Sequence, residues 1–395
     1  MSAAEVKAFD ACRAYHALAR EIRAAIDAVL ESGQLILGPQ VEAFEAEFAR
    51  YVGAAQGVGV GCGTAALSLA LEALSIGPGD EVITVANTAV PTVSAIRAVG
   101  ATPRFVDVRP DTLLMDPDAV QAAIGPRTRA LVPVHLYGLA AEMAPLADLA
   151  RRHGLALVED CAQAHGTRYG ARHVGTFGQV GCFSFYPTKN LGALGDGGLC
   201  VTDDPALAGR LRMLRNHGWG ADRVAACEGI NSRLDEIQAA VLRVKLRHLD
   251  RALARRRDVA RQYTAALSGL DCRLPLHTAG AAQHSFHLYV LRVACRAALL
   301  EALRAARVGF GLHYPQAIHL MPAYKFLGYR RAQLPVTELA VQQVLSLPMY
   351  PELRPDEVQR VIAATYAGLG QRWGDALGCS EAMASLEVGE HDAAC

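Results

Sequence analysis

The chain has 395 residues, 52% of them apolar, and its 39 acidic side chains balance 39 lysines and arginines. That length suits a large α/β domain with a smaller one attached, and the apolar share is enough for a large core. A formal charge of zero gives no electrostatic reason to expect nucleic acid or an anionic membrane as a partner, and no apolar run reaches membrane-spanning length.

Residues 14–31 predict an amphipathic helix and residues 41–51 another, with Gly38-Pro39 breaking them apart. From residue 57 to 201 short β-rich runs alternate with helical stretches. The runs are 58–61, 81–85, 103–108, 130–135, 155–160, 181–185 and 198–201; the helical stretches include 65–74, 90–99 and 143–153. Apolar runs separated by helices predict a mostly parallel seven-stranded sheet between helices, with ligands beyond the carboxyl ends of the strands. Residues 204–217 and 232–268 read as helices, the second long and basic. The composition then changes: a strand at 287–293, a helix at 297–306, a strand at 308–313, and helices at 337–346 and 355–368 describe a smaller α+β unit. The expected division is a large domain over 1–250, a small one over 251–375, and a disordered tail over 376–395. The N-terminus carries Glu5, Lys7 and Asp10 and lacks the apolar core of a secretory signal. The ten cysteines are scattered without CxxC pairs or Cys/His ligand spacing, so neither a structural zinc nor a disulfide framework is expected, and a reduced cytoplasm is the simplest compartment.

Three strand ends carry chemistry. Cys62-Gly63-Thr64-Ala65 follows the first run and opens a helix, whose free N–H groups suit a phosphate; Gly63 allows close approach and Thr64 adds a hydroxyl. Gly61-x-Gly63-x-x-Ala66 also fits a relaxed dinucleotide fingerprint, but the next strand ends in Ala86-Asn87 rather than in an acid. Asp160 closes the run 155–160, where an acid needs a partner if it is buried; it could hold a pyridine nitrogen protonated. Glu159 alternates to the other face of the strand and reads as structural. Gln163 and His165 could reach ring substituents, and His165 reads equally as a satisfied loop histidine. Ser184 ends a third run and would complete the phosphate cup with Thr64. Lys189 follows on a tight loop between hydroxyls and glycines, in a chain with few lysines, and is placed like an amine held against an aldehyde. Phosphate donors, an acid for a ring nitrogen and an amine are together the parts of a pyridoxal phosphate site.

Over residues 33–370 the chain resembles the DegT/DnrJ/EryC1/StrS sugar aminotransferases, fold type I pyridoxal-phosphate enzymes. The likeness rests on Gly38-Pro39, Gly63-Thr64-Ala65-Ala66-Leu67, Val134-His135-Leu136-Tyr137-Gly138, Glu159-Asp160-Cys161-Ala162-Gln163-Ala164-His165-Gly166, Phe183-Ser184-Phe185-Tyr186-Pro187-Thr188-Lys189-Asn190-Leu191 and Gly229-Ile230-Asn231-Ser232-Arg233-Leu234-Asp235, in that order and spacing. The resemblance implies that Lys189 forms the Schiff base, that Asp160 pairs with the pyridine nitrogen and that Gln163 contacts the phenolic side of the ring. It gives the phosphate to Thr64, the Ala65 backbone and Ser184, and to Asn231 of a second subunit, which makes a homodimer obligatory. Read from the residues alone, Asn231 is only a polar residue before a helix. The sequence departs from the family at Ala89, where an aromatic often stacks on the ring.

The activity implied is transamination from an amino acid, glutamate by resemblance, to a nucleotide-linked ketohexose or to a cyclitol ketone. Tyr186, Arg233, His313, Tyr314 and His319 are candidates for gripping that substrate; packing at a domain junction, or a helix-start salt bridge for Arg233, explains them equally. A pyridoxamine-dependent dehydratase shares the fold, but that group replaces the lysine with histidine. A cofactor-binding regulator is the remaining alternative, and no basic face supports it.

Overall fold

The computed structural model describes residues 4–220 and 222–370. The expected tail, 376–395, and the last residues of the expected small domain lie outside the described residues.

Asp10 opens helix α1 (Ala11–Ser32), its carboxylate accepting from the N–H groups of Cys12 and Arg13; Gly33, at φ +67°, closes it. Pro39 starts α2 (Pro39–Val52) at a position where its missing N–H is harmless. Strand β1 (Gln56–Val60), α3 (Gly63–Ala73), β2 (Glu81–Val85), α4 (Val90–Ala98), β3 (Thr102–Val106), α5 (Pro117–Ala123), β4 (Thr128–Leu131), α6 (Met143–His153) and β5 (Ala156–Asp160) then alternate. A hairpin of β6 (Arg168–Tyr169) and β7 (Arg172–His173) intervenes before β8 (Val180–Ser184) and β9 (Gly198–Thr202). The main sheet has the order β1-β9-β8-β5-β4-β2-β3. Strand β9 runs antiparallel to both its neighbours, and the other pairs are parallel. All seven expected strands are present, in the mostly parallel arrangement expected of fold type I.

Helices cover both faces. On one, Phe44 and Phe48 of α2 pack on Phe183 and Phe185; on the other, Leu67 and Leu71 of α3 and Ile96 of α4 pack on Val58, Val82 and Val158. Helices α7 (Pro205–Leu214), α8 (Glu236–Arg247) and α9 (Leu249–Leu267) follow. The single helix expected over 232–268 is therefore two, interrupted at His248 (φ −104°, ψ 0°) with no glycine or proline to mark the break.

After the short hairpin β10 (Thr278–Ala279) and β11 (Ala282–Gln283) come β12 (Tyr289–Arg292), α10 (Ala297–Ala305), α11 (Pro335–Gln343), β13 (Val344–Leu347) and α12 (Pro355–Leu369). Two expectations fail here. The helix expected to run through 346 ends at Gln343, and the buried run Val344–Leu347 pairs antiparallel with β12 instead. A short apolar run of this kind is ambiguous from its pattern alone. The strand expected at 308–313 makes only isolated bridges, Val308 to Val6 and Gly311 to Ser346. A third core, with Val6, Val259, Tyr263, Tyr289, Leu299, Leu345 and Ile362, lies here. Helix α9 serves two cores: Leu249 and Leu253 enter the first, Val259 and Leu267 the third.

Candidate active site

Parallel pairing of β5 with β8 sets their carboxyl ends side by side, with Asp160 opposite Cys182. Asp160 is 4% exposed. Its Oδ2 accepts from Thr92 Oγ1 at 2.8 Å and its Oδ1 from the Ala162 N–H at 3.1 Å. Thr92 itself meets Thr88 Oγ1 at 2.9 Å, so a hydroxyl relay from the start of α4 fixes the carboxylate. Burial raises the Asp160 pKa, while the two hydrogen bonds and the charge of Lys189 oppose that rise. Sequence reasoning missed Thr88 and Thr92; the signal was their four-residue spacing at the start of a helix beside a strand end.

Lys189 sits on the turn after β8, its N–H bonded to the Tyr186 carbonyl at 2.9 Å. Burial lowers its pKa to about 8, against the pull of Asp160. Among the described residues its amine makes no hydrogen bond. Three imidazoles feel its charge: His165, brought to about 3, His287, held well below the usual range, and His313, brought to about 4. Burial is the first cause in each, so all three are neutral at physiological pH. The rings of Phe48, Phe183 and Phe185 surround His165. Sequence reasoning did not single out His287; its place at the start of an expected strand concealed it.

Gln163 links the segment after β5 to the 313–314 segment. Its Oε1 accepts from the Tyr137 N–H at 2.7 Å and its Nε2 donates to the Tyr314 hydroxyl at 3.0 Å. Tyr137 donates its own hydroxyl to the His313 carbonyl, and His313 Nδ1 lies 2.8 Å from Ser346 Oγ. Gln163, Tyr137, His313 and Tyr314 therefore form one network beside Lys189.

The start of α3 abuts Ser184. A Cβ at Gly63 would lie 2.6 Å from the Ser184 Cβ, and one at Gly198 would lie 2.4 Å from the Cys62 carbonyl carbon. Glycines there let the helix N-terminus close on the strand end. Ser184 Oγ accepts from the Tyr186 N–H at 3.3 Å, and Cys62 Sγ accepts from the Ala65 N–H at 3.4 Å. Thr64 is half-buried beside them. Ala89 precedes α4 and caps it with backbone alone.

Other candidates stand farther out. Tyr186 is 38% exposed. Asn231 is exposed and bridges Asn216, whose Oδ1 accepts from Arg233 at 3.1 Å. Trp219, Val224 and Ile230 expose apolar side chains in the same segment. His319 is committed elsewhere: its Nε2 lies 3.2 Å from Glu338 and its ring packs with Phe105 and Tyr329.

Under the sheet, His135, Glu159 and Cys161 stand close enough to share an ion. Two of the three are already committed. Glu159 accepts from the N–H groups of Gly175, Phe177 and Gly178 at 2.6–2.9 Å. The Ala141 N–H donates to His135 Nδ1 at 3.0 Å, which leaves Nε2 to carry the proton toward Glu159 at 3.2 Å. The cluster braces the 175–178 loop.

The sequence model of the DegT/DnrJ/EryC1/StrS aminotransferase family matches residues 16–365. The dTDP-3-amino-3,4,6-trideoxy-alpha-D-glucose transaminase of Micromonospora megalomicea subsp. nigra is 49% identical over 350 residues, 87% of this chain and 93% of that one. The crystal structure of S. venezuelae DesV in complex with a ketimine intermediate superimposes with a TM-score of 0.92 at 47% identity, covering 94% of this chain and all of that one, 100%. NtdA from Bacillus subtilis, solved with bound cofactor PMP, gives a TM-score of 0.88 at 29% identity over 94% of this chain and 86% of its own.

Proposed function

The chain belongs to the DegT/DnrJ/EryC1/StrS aminotransferase family, and from that premise we propose that it moves an amino group from an amino acid, L-glutamate first, to the keto group of a nucleotide-linked ketohexose. It is an aminotransferase, and its cofactor is pyridoxal 5'-phosphate. The Micromonospora relative is named for a dTDP-linked hexose with its amine on C3. That name favours a 3-keto sugar here over the cyclitol ketone.

The residues present fit the cofactor. The observation that carries the assignment is a half-buried lysine with no hydrogen bond to its amine among the described residues, electrostatically coupled to a buried aspartate at the end of the adjacent strand. In this reading Lys189 attaches the aldehyde, Asp160 faces the ring nitrogen and Gln163 the phenolic side. The α3 N-terminus at Gly63, Thr64 and Ala65 holds the phosphate with Ser184, and Ala89 lies against the ring. Asn231 reaches the phosphate of a second copy, so a homodimer is the working unit; the exposed Trp219, Val224 and Ile230 around it suit such a contact.

When bound, the cofactor supplies an electron sink for negative charge at the substrate carbon. Asp160, fixed by Thr92 and Ala162, keeps the ring nitrogen protonated. Lys189, with its pKa brought to about 8, can both take and return a proton near neutral pH, which general acid–base work requires. His313 and Tyr314, in the network beside Lys189, orient the sugar, with the more exposed Tyr186 at the rim and Arg233 placed for an anionic group on it. His319, occupied by Glu338, stands outside this assignment. No helix among the described residues is long and apolar enough to cross a membrane. The free thiols of the described cysteines favour the reducing cytoplasm.

The purified holoprotein should absorb visible light, and borohydride should abolish that band by trapping Lys189. L-Glutamate should bleach the band and a dTDP-linked 3-ketohexose should restore it. A protein that takes up no pyridoxal phosphate, or that keeps its colour in L-glutamate, would overturn the reading.

A further inference from the structure

Asn190, the residue after Lys189, reaches out of the turn that carries the amine. Its Nδ2 donates to the carbonyl and to the Oγ of Ser285, both at 3.4 Å. Ser285 is fully buried, and Thr167 Oγ1 lies 2.8 Å from its Oγ and 2.9 Å from the Gly138 carbonyl oxygen. The Ser285 N–H donates to that same carbonyl at 2.8 Å. Four stretches distant in sequence therefore meet around one hydroxyl: the turn after β8, the connection from β11 to β12, that from β5 to β6 and that from β4 to α6. Gly138 makes the approach possible. It stands at φ +96°, and a Cβ there would lie 2.5 Å from Ser285 Oγ and 3.1 Å from the Gln163 carbonyl oxygen.

The far side of this junction holds Gln163. Tyr137, next to Gly138, donates its N–H to Gln163 Oε1 at 2.7 Å, and its carbonyl accepts from the Leu288 N–H at 3.2 Å. A chain of contacts thus runs from the neighbour of Lys189 through Ser285 and Gly138 to Gln163. On a pyridoxal ring the aldehyde and the phenolic oxygen sit on adjacent carbons, so the groups that meet them must keep one separation, to within about 0.5 Å. With no hydrogen bond to the Lys189 amine among the described residues, its aim is left to the turn and to what anchors the turn. Asn190 also carries a penalty: its Oδ1 is buried without a partner. Leucine has a similar volume and no such penalty, so packing alone would be served as well by an apolar side chain.

We infer that Asn190, Ser285 and Thr167 are positioning residues, which hold the Lys189 turn in register with Gln163 so that the amine meets the cofactor aldehyde when the ring is seated. The inference rests on the reading of Lys189 as the residue that attaches the aldehyde. It gives a task to side chains that touch neither cofactor nor substrate in that reading, and it makes the connection from β11 to β12 part of what aims the amine.

Two forms of the cofactor test it. Pyridoxal 5'-phosphate can be attached by a lysine; pyridoxine 5'-phosphate keeps the ring and the phosphate but has an alcohol in place of the aldehyde. Both are titrated into the cofactor-free protein, the first through its visible band and the second by competition with the first. Asn190→Leu should weaken binding of the aldehyde about tenfold or more and of the alcohol less than about twofold, since misplacing a reacting group by about 1 Å has effects on that scale or larger. Ser285→Ala and Thr167→Val should each weaken the aldehyde form selectively, by about threefold, and Thr167→Ser, which keeps the hydroxyl, should restore what Thr167→Val loses. An undiminished affinity for the aldehyde, or an equal loss for both forms, would overturn the inference and leave the junction a packing contact. Thr167→Val is isosteric and keeps the test open should Asn190→Leu fold poorly. If the parent itself binds the aldehyde no more tightly than the alcohol, it is the reading of Lys189 that fails.

Discussion

Glu159 and Asp160 are consecutive on β5, both buried and both acidic, and their surroundings differ in kind. Glu159 points beneath the sheet into three backbone N–H groups and the His135 ring, which leave it little further capacity. Asp160 points to the open end of the strands, with one hydroxyl and one N–H to hold it and a lysine charge nearby. Around Glu159 every partner is a fixed part of the fold. Beside Asp160 stands a lysine amine without a hydrogen bond among the described residues, and around that lysine three imidazoles held neutral by burial. A saturated cluster braces structure; an unsaturated one beside it has capacity left for a ligand. Proximity of acids, histidines and thiols alone would have chosen the wrong cluster.

Exchanging the charge at each position separates the two. Asp160→Asn should leave the fold intact and lower the rate of the glutamate half-reaction by about a hundredfold or more, the scale of losing a positioned ionic group in catalysis. Glu159→Gln should do the reverse. It replaces an acceptor of three buried N–H groups by a half-acceptor, so unfolding by denaturant should show a loss of about 2–4 kcal/mol, with nearly normal turnover per folded molecule. Should Glu159→Gln abolish turnover in a fully folded protein, the division between the two clusters would fail.

The amine of Lys189 sharpens the same contrast through pH. Its folded pKa is about 8, below the 10.5 of a free lysine. Between those values the unfolded chain holds the proton and the folded chain does not; below about 8 both hold it. The burial penalty is therefore complete at pH 7 and fades as pH rises toward 10.5. In the cofactor-free protein, Lys189→Met should raise stability on the order of 2 kcal/mol at pH 7, and the gain should shrink to nothing near pH 10.5. A gain independent of pH would mean that methionine merely packs better.

Much of this was legible in the sequence, for identifiable reasons. Strand ends followed by glycines or acids are local signals, so the pattern of residues alone puts Gly63, Asp160, Ser184 and Lys189 on one sheet edge. The partners that tune them come from distant segments. Thr92 reaches Asp160 across 68 positions, and Gln163 reaches Tyr314 across 151. Nothing in the local pattern of His287 distinguishes a strand-start histidine from one facing a reactive amine. His319 illustrates the opposite error: its neighbours in sequence suggested a substrate loop, whereas Glu338 and two aromatic rings enclose it. The strand at 344–347 escaped because a short buried apolar run carries no period that favours one state, and the break at His248 because the amphipathic, basic pattern runs on across it without a glycine or proline.

Ala89 offers the finest test of how the uncommitted cluster is completed. It stands half-buried at the head of α4, three residues before the threonine that holds Asp160, and in the proposed site it would offer the ring only a methyl group. Aromatic stacking is worth about 0.5–1.5 kcal/mol beyond the area it buries. Ala89→Phe should therefore tighten pyridoxal phosphate up to about tenfold, read by titrating the cofactor-free protein through its visible band. The neighbouring Val90 is 37% exposed, so the backbone at this point has room to carry a larger side chain. Weaker binding in that variant would mean that the space beside Ala89 is already filled when the cofactor is in place, by a second copy of the chain or by a shift of α4. A crosslinked dimer and a monomeric variant titrated side by side would then tell those two apart.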